Sequence, residues 1–135
     1  MNGGASIRVH VHLPTVLVAE SDDGLRGALA GVLSRDGYRV VAVEDGLELF
    51  DYLALAERSA GRLPLPRLVI SDAELAGCSG VEACRRLRAA PPRLPVVLLT
   101  GDRAAARDAL LAGACDIVRK PVDVEELRGV VALFC

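Results

Sequence analysis

The chain has 135 residues, enough for one compact domain, and its 52% apolar content with positive mean hydropathy excludes a disordered chain. With two Phe, two Tyr and no Trp, the core must be built from Val, Leu, Ile and Ala, as suits a sheet buried on both faces. A net charge of −2 with no basic block argues against direct nucleic-acid binding, and no apolar run reaches the roughly 18 residues of a membrane span.

Residues 1–14 read as an N-terminal extension, either flexible or an extra edge strand. Ile7, Val9, Val11 and Leu13 alternate there with Arg8, His10 and His12. The His10-x-His12 pair lacks a third ligand nearby and is read as a solvated strand face. Residues 15–135 form the regular part. A strand over 15–19 leads to a helix over 23–36, with Leu25, Leu29, Val32 and Leu33 on one face and Gly37 as its stop. A second strand over 38–43 is followed by Asp45 and Glu48, spaced as a capping box, and then by Leu49, Leu53 and Ala56 on a buried side. Pro64 and Pro66 close the longest loop. The third strand covers 68–71. Ser79 and Glu82 make a second capping box, opening a helix with Val81, Cys84 and Leu87 inward. A wholly apolar fourth strand over 95–100 reads as central, a helix over 102–112 stops at Gly113, and a fifth strand covers 115–119. Asp123 and Glu126 cap the last helix, whose Leu127, Val130, Val131 and Phe134 face the sheet. Strict strand–helix alternation with short connections requires a parallel sheet with right-handed crossovers, an α/β architecture.

Cys78, Cys84, Cys115 and Cys135 contain no CxxC pair, and a core of this size needs no disulfide. They read as unpaired small hydrophobes in a reducing cytoplasm, with a redox role for Cys78 as the alternative. The N-terminus lacks the apolar core of a secretory signal, which also suits a cytoplasmic location. Arg outnumbers Lys fifteen to one, a bias of composition.

The polar residues gather where strands end. Glu20 and Asp22 follow the first strand, Asp72 the third, Thr100 ends the fourth and Lys120 follows the fifth. In an open parallel sheet these ends converge on one crevice. A carboxylate there can be nucleophile, base or metal ligand. If it accepts a phosphoryl group, charge on the three phosphoryl oxygens calls for a divalent cation, a positive side chain and a donor. Glu20, with Asp22 near, can supply oxygens to Mg²⁺, Lys120 the charge and Thr100 the hydroxyl.

Residues 15–134 resemble the receiver domain of bacterial two-component response regulators. The resemblance rests on Val16-Leu-Val-Ala-Glu-Ser-Asp-Asp23, Leu68-Val-Ile-Ser-Asp-Ala-Glu-Leu-Ala-Gly-Cys-Ser-Gly80, Val96-Val-Leu-Leu-Thr-Gly101, Gly113-Ala114 and Lys120-Pro121. It implies a flavodoxin-like (βα)5 doubly wound sheet in the order 2-1-3-4-5. It also implies that Asp72 takes a phosphoryl group from a sensor histidine kinase or phosphotransfer protein. Mg²⁺ would be held by Glu20, Asp72 and the Glu74 backbone carbonyl, Thr100 and Lys120 would contact the phosphate, and the bond before Pro121 would be cis. Such a domain is a signalling switch with only slow self-dephosphorylating chemistry, not a metabolic enzyme. It acts on a downstream protein target through the face of helix 4, strand 5 and helix 5, which also serves homodimers in one subgroup. Asp116 and Arg128 resemble that subgroup's pairing positions but read as solvated.

Three departures stand out. Ser21 replaces the second of two adjacent acids, so Mg²⁺ binding is expected but weaker, with Asp22 as a substitute ligand or the Glu74 side chain restoring charge. Ile117 stands at the usual aromatic switch position, and Ala76 where proline is common. Ser21 and Ile117 leave a second reading, a degenerate receiver acting by protein contact without phosphorylation. A haloacid-dehalogenase-type hydrolase is disfavoured, because there the nucleophile motif lies on the first strand and the paired acids come last.

Overall fold

The computed structural model describes residues 13–135, so the alternating segment before Leu13 and its two histidines lie outside the described residues. Five strands alternate with five helices: β1 (Thr15–Ala19), α1 (Asp23–Arg35), β2 (Arg39–Val43), α2 (Gly46–Arg58), β3 (Leu68–Asp72), α3 (Gly80–Ala89), β4 (Val96–Thr100), α4 (Arg103–Leu111), β5 (Asp116–Arg119) and α5 (Val124–Phe134). All pairings are parallel and the order is β2-β1-β3-β4-β5, the flavodoxin-like arrangement. The register sets Ala19 beside Ser71 and Asp72 beside Leu99, so β3 ends one residue beyond β1 and β4 one beyond β3, all at the same edge of the sheet.

Every residue of β1, β3 and β4 is buried, because helices cover both faces. Side chains alternate between two apolar layers. Val16, Val18, Ile70 and Leu99 meet Leu29 and Leu33 of α1 and Leu127 and Val131 of α5. Leu17, Val69 and Leu98 meet Leu49 and Leu53 of α2, Cys84 of α3 and Ala109 of α4. Each fully buried Leu or Val contributes on the order of 1.5–3 kcal/mol.

β1 and β3 start where the sequence pattern puts them, while β2, β4 and β5 start one residue later, for β2 and β5 after a glycine helix stop. Gly37 takes φ +94°, its N–H bonds the Ser34 carbonyl, and the Tyr38 N–H returns to Leu33. Gly113 at φ +103° repeats the pattern, with Ala114 returning to Ala109. Both helices end in this paired-bond stop, which occupies the amide of Tyr38 before β2 can use it. At the other end β3 runs one residue longer than the pattern suggests and carries Asp72 in the ladder opposite Leu99.

Asp45, Ser79 and Asp123 all cap their helices through the side chain. The reciprocal arm of the capping box is a correction. Glu48 reaches back to the Glu44 amide at 2.7 Å, one residue early, while Glu82 pairs with Arg85 instead. Arg128 is exposed, and it is also paired within the chain. Its guanidinium grips Asp36 at 2.8 and 2.9 Å, tying α5 to the end of α1, and reaches Glu125 as well. These carboxylates raise its pKa further, so it stays charged throughout.

Of the four cysteines, none is disulfide-bonded. Cys84 is fully buried, and burial pushes its thiol up to about 11. Cys115 is exposed, unlike a core hydrophobe, and Cys78 is half-buried. Among the described residues no helix is long and apolar enough to cross a membrane.

Candidate functional site

The adjacent ends of β1, β3 and β4 and the segment after β5 carry Glu20, Asp72, Thr100 and Lys120. A cleft of about 300 Å³ opens there, lined by Asp72, Glu74, Thr100, Gly101, Asp102 and Lys120. The floor is nearly sealed: Glu20 is 0% exposed, Thr100 5% and Asp72 7%.

Lys120 joins the two acids. Its Nζ stands 2.8 Å from Glu20 Oε1 and 3.2 Å from Asp72 Oδ2. Burial pulls the ammonium's pKa down, but its close ion pair with Glu20 and the charge of Asp72 more than offset this, leaving it above its ordinary value. Asp72 Oδ1 accepts from the Glu74 amide at 3.0 Å, while Oδ2 is the longer-range acceptor for the Ser21 hydroxyl at 3.5 Å. Glu20 Oε2 accepts from the Asp22 amide at 3.0 Å.

The Thr100 hydroxyl accepts from the Asp102 amide at 3.1 Å and keeps its own proton to donate. The Lys120 amide bonds the Thr100 carbonyl at 3.0 Å, so the lysine and the hydroxyl are fixed to one another through backbone. The Lys120–Pro121 bond is cis.

The donor set of the cleft suits a divalent cation in part. Glu20 Oε1 is buried and, although an ion-pair distance from Lys120, it receives no well-directed hydrogen bond. Such an oxygen welcomes a hard cation. With Asp72 beside it the pair suits Mg²⁺, but one carboxylate is missing. Among the described residues no three His, Cys, Asp or Glu side chains converge. Ser21, not Asp22, is the neighbour of Asp72 at that place. Asp22 is exposed and caps α1, its Oδ1 accepting from the Leu25 amide at 2.9 Å.

Three positioning residues escaped the sequence pattern. Arg26 donates to the Glu20 carbonyl at 2.9 Å and pairs with Asp23 and Glu44, fixing the turn after β1. In the sequence only its three-residue spacing from Asp23 marks it. Ser71 is buried and bonds the Asp72 carbonyl at 3.0 Å. Gly80 lets α3 begin against the back of Asp72. A Cβ there would strike the Asp72 carbonyl oxygen and lie 2.8 Å from the Ala73 Cα.

Ile117, half-buried, lines a second, more apolar groove of about 430 Å³ between α4 and β5, with Ala106 and Leu110. Thr100 lines both this groove and the acidic cleft.

Comparison with known proteins agrees with this geometry. A family model described as the response regulator receiver domain matches residues 16–132. The chain is 38% identical over 115 residues to the transcriptional regulatory protein AfsQ1 of Streptomyces coelicolor, covering 82% of this chain and 46% of that protein. It is 38% identical over 119 residues to the phosphate regulon transcriptional regulatory protein PhoB of Rhizobium meliloti, covering 85% and 49%. The chain thus spans about half the length of these relatives. Among solved structures, the receiver domain of NtrX from Brucella abortus is similar at 28% identity with a TM-score of 0.73, covering 87% of this chain and 95% of that one.

Proposed function

The chain belongs to the response regulator receiver domain family of two-component signalling, and we propose that it is a working phosphoryl switch with Asp72 as the acceptor. The observation that carries this reading is the single lysine held between two sealed carboxylates. Receivers of this family are signalling proteins, not metabolic enzymes. A histidine kinase or phosphotransfer protein is the donor. A carboxylate oxygen of Asp72 attacks phosphorus, the donor's N–P bond breaks, and an acyl phosphate forms. Lys120 neutralises charge on the incoming oxygens, and Thr100 swings its hydroxyl toward them. Glu20, Asp72 and the Glu74 main chain would hold Mg²⁺, which supplies further neutralisation when bound. Ser21 leaves that hold weak. The response then travels from Thr100 into the groove beside Ile117 and so to the face of α4, β5 and α5, where a downstream protein or a second copy docks.

Incubation with acetyl phosphate and Mg²⁺, followed by intact-mass measurement, tests the assignment. One phosphoryl mass is gained, and Asp72→Asn abolishes the gain. Ser21 also favours a degenerate receiver that signals by contact alone. That second reading gains ground if the unmodified chain stays unlabelled while a histidine kinase still binds it.

A further inference from the structure

We propose that the pocket at the starts of β1, β2 and β3 binds a small molecule through a phosphate group held between Arg39 and Arg67. The strands are parallel, so this pocket lies at the edge of the sheet opposite the acidic cleft, and the two share no lining residue. It measures about 300 Å³, near the small end of the roughly 300–1,000 Å³ of ligand pockets. β1 runs between β2 and β3. The Arg39 amide donates to the Pro14 carbonyl at 2.9 Å and the Arg67 amide to the Thr15 carbonyl at 2.8 Å. The two arginines are thereby fixed on either side of the start of β1, their main chains about 10 Å apart at the usual strand spacing. Thr15, 3% exposed, lies between them in the lining. The loop after α2 builds the other wall. The Tyr52 hydroxyl donates to the Pro64 carbonyl at 2.6 Å, and the Ser59 hydroxyl accepts from the Leu63 amide at 2.9 Å. Both bonds tie the segment carrying Gly61 and Pro64 to α2.

Charge and donor chemistry choose the ligand. The lining contains Arg39 and Arg67 and no acid. Arg26, Arg85, Arg88 and Arg128 use their guanidinium donors within the chain. Arg39 and Arg67, in contrast, form no ion pair and donate no side-chain hydrogen bond among the described residues. Residues 1–12 contain no Asp or Glu, so they offer no side-chain carboxylate to neutralise the pair either. Two uncompensated positive charges match a phosphate monoester, which carries about −1.5 to −2 near pH 7. A carboxylate brings one charge and two oxygens, whereas a phosphate presents three oxygens to two guanidinium forks and the Thr15 hydroxyl. Leu13 and Leu65, 45% and 49% exposed, complete the lining and suit the carbon part of such a ligand. A nucleic-acid strand fits less well, because it needs a basic track across many phosphates, and a chain of net charge −2 with no basic block lacks one.

Inorganic phosphate and glycerol phosphate, titrated into the ¹⁵N-labelled chain at constant ionic strength without Mg²⁺, test this. At least one is expected to shift the amides of Thr15, Arg39, Gly61 and Arg67 with a half-point below about 5 mM. The tighter of the two tells a free phosphate from a carbon-borne one. Arg39→Gln and Arg67→Gln, both at exposed positions, should each weaken binding at least about tenfold while circular dichroism stays unchanged. Arg39→Lys and Arg67→Lys should keep part of the affinity, since they retain the charge and lose only the fork. Arg58→Gln, exposed and outside the lining, should change the half-point less than about twofold, as a contribution of general surface charge alone would. A half-point above about 5 mM for both probes overturns the proposal. Binding that survives Arg39→Gln and Arg67→Gln in one chain overturns it too, as does an equal loss with Arg58→Gln. So do equal affinity for succinate, shifts confined to the acidic cleft, or an oligonucleotide that binds as tightly per phosphate.

Discussion

Ser21 and Lys120 decide how the acidic cleft behaves, because between them they set its charge. By formal charge the cluster of Glu20, Asp72 and Lys120 carries one net negative charge, where a second acid at position 21 would make two. A carboxylate about 4 Å from a cation gains several kcal/mol of attraction at an effective dielectric near 20, part of which is lost to desolvation. Ser21→Asp is therefore expected to tighten Mg²⁺ binding by about tenfold or more, roughly 1.4 kcal/mol. Amide shifts around Asp72 during a Mg²⁺ titration read this directly, and an unchanged affinity would show that the missing acid is irrelevant. Lys120 makes a second prediction. Its pKa is raised in the folded chain, so the native state holds this proton more tightly than the unfolded chain does. The stabilisation is complete below the unfolded value of about 10.4 and disappears as pH rises through the higher folded value. Urea midpoints should fall above about pH 10.5, and Lys120→Met should flatten this fall. An equally steep decline in Lys120→Met would assign it to other groups.

At the scale of elements, α3 is fixed by one contact that admits no side chain. The Gly80 amide donates to the Ala73 carbonyl at 2.9 Å, and its Cα lies against the Asp72 carbonyl. Gly80→Ala must push the start of α3 off the strand end, and a loss of at least about 2 kcal/mol in chemical denaturation is expected. The displacement moves Asp72 itself, so the acetyl-phosphate mass gain should fall as well, which a purely structural glycine elsewhere, such as Gly27 with open space around it, would not cause. This interplay also marks what the sequence could and could not disclose. Elements and strand-end chemistry were legible because apolar periodicity, caps and glycine stops are local, and a parallel sheet forces Glu20, Asp72, Thr100 and Lys120 to one edge. Contacts between elements left no local trace. Arg128 meets Asp36 across 92 residues, and Arg86 covers Phe50 from another helix, so both looked like ordinary surface arginines. Glu48 reaches the Glu44 amide and not that of the cap residue, a one-residue difference that spacing does not encode.

For the molecule as a whole, the sheet is shared by two apolar layers, and the acidic cleft sits at its edge and not inside either one. Leu98 and Leu99 are neighbours on β4, both fully buried, yet they point into opposite layers. Each truncation to Ala should cost about 2–5 kcal/mol, the range for a buried leucine. Neither layer can open alone, because both rest on the same ladder of β1, β3 and β4. Leu98→Ala and Leu99→Ala should therefore each give one transition, coincident by far-ultraviolet dichroism and by the amide signals of both layers. Two separated transitions would mean that the layers fold independently. Below its midpoint each variant should still gain one phosphoryl mass from acetyl phosphate, since Asp72 and Thr100 hang from strand ends whose register is backbone-set. Loss of labelling in a variant that remains folded would show instead that the layers, and not the ladder, hold the acceptor in place.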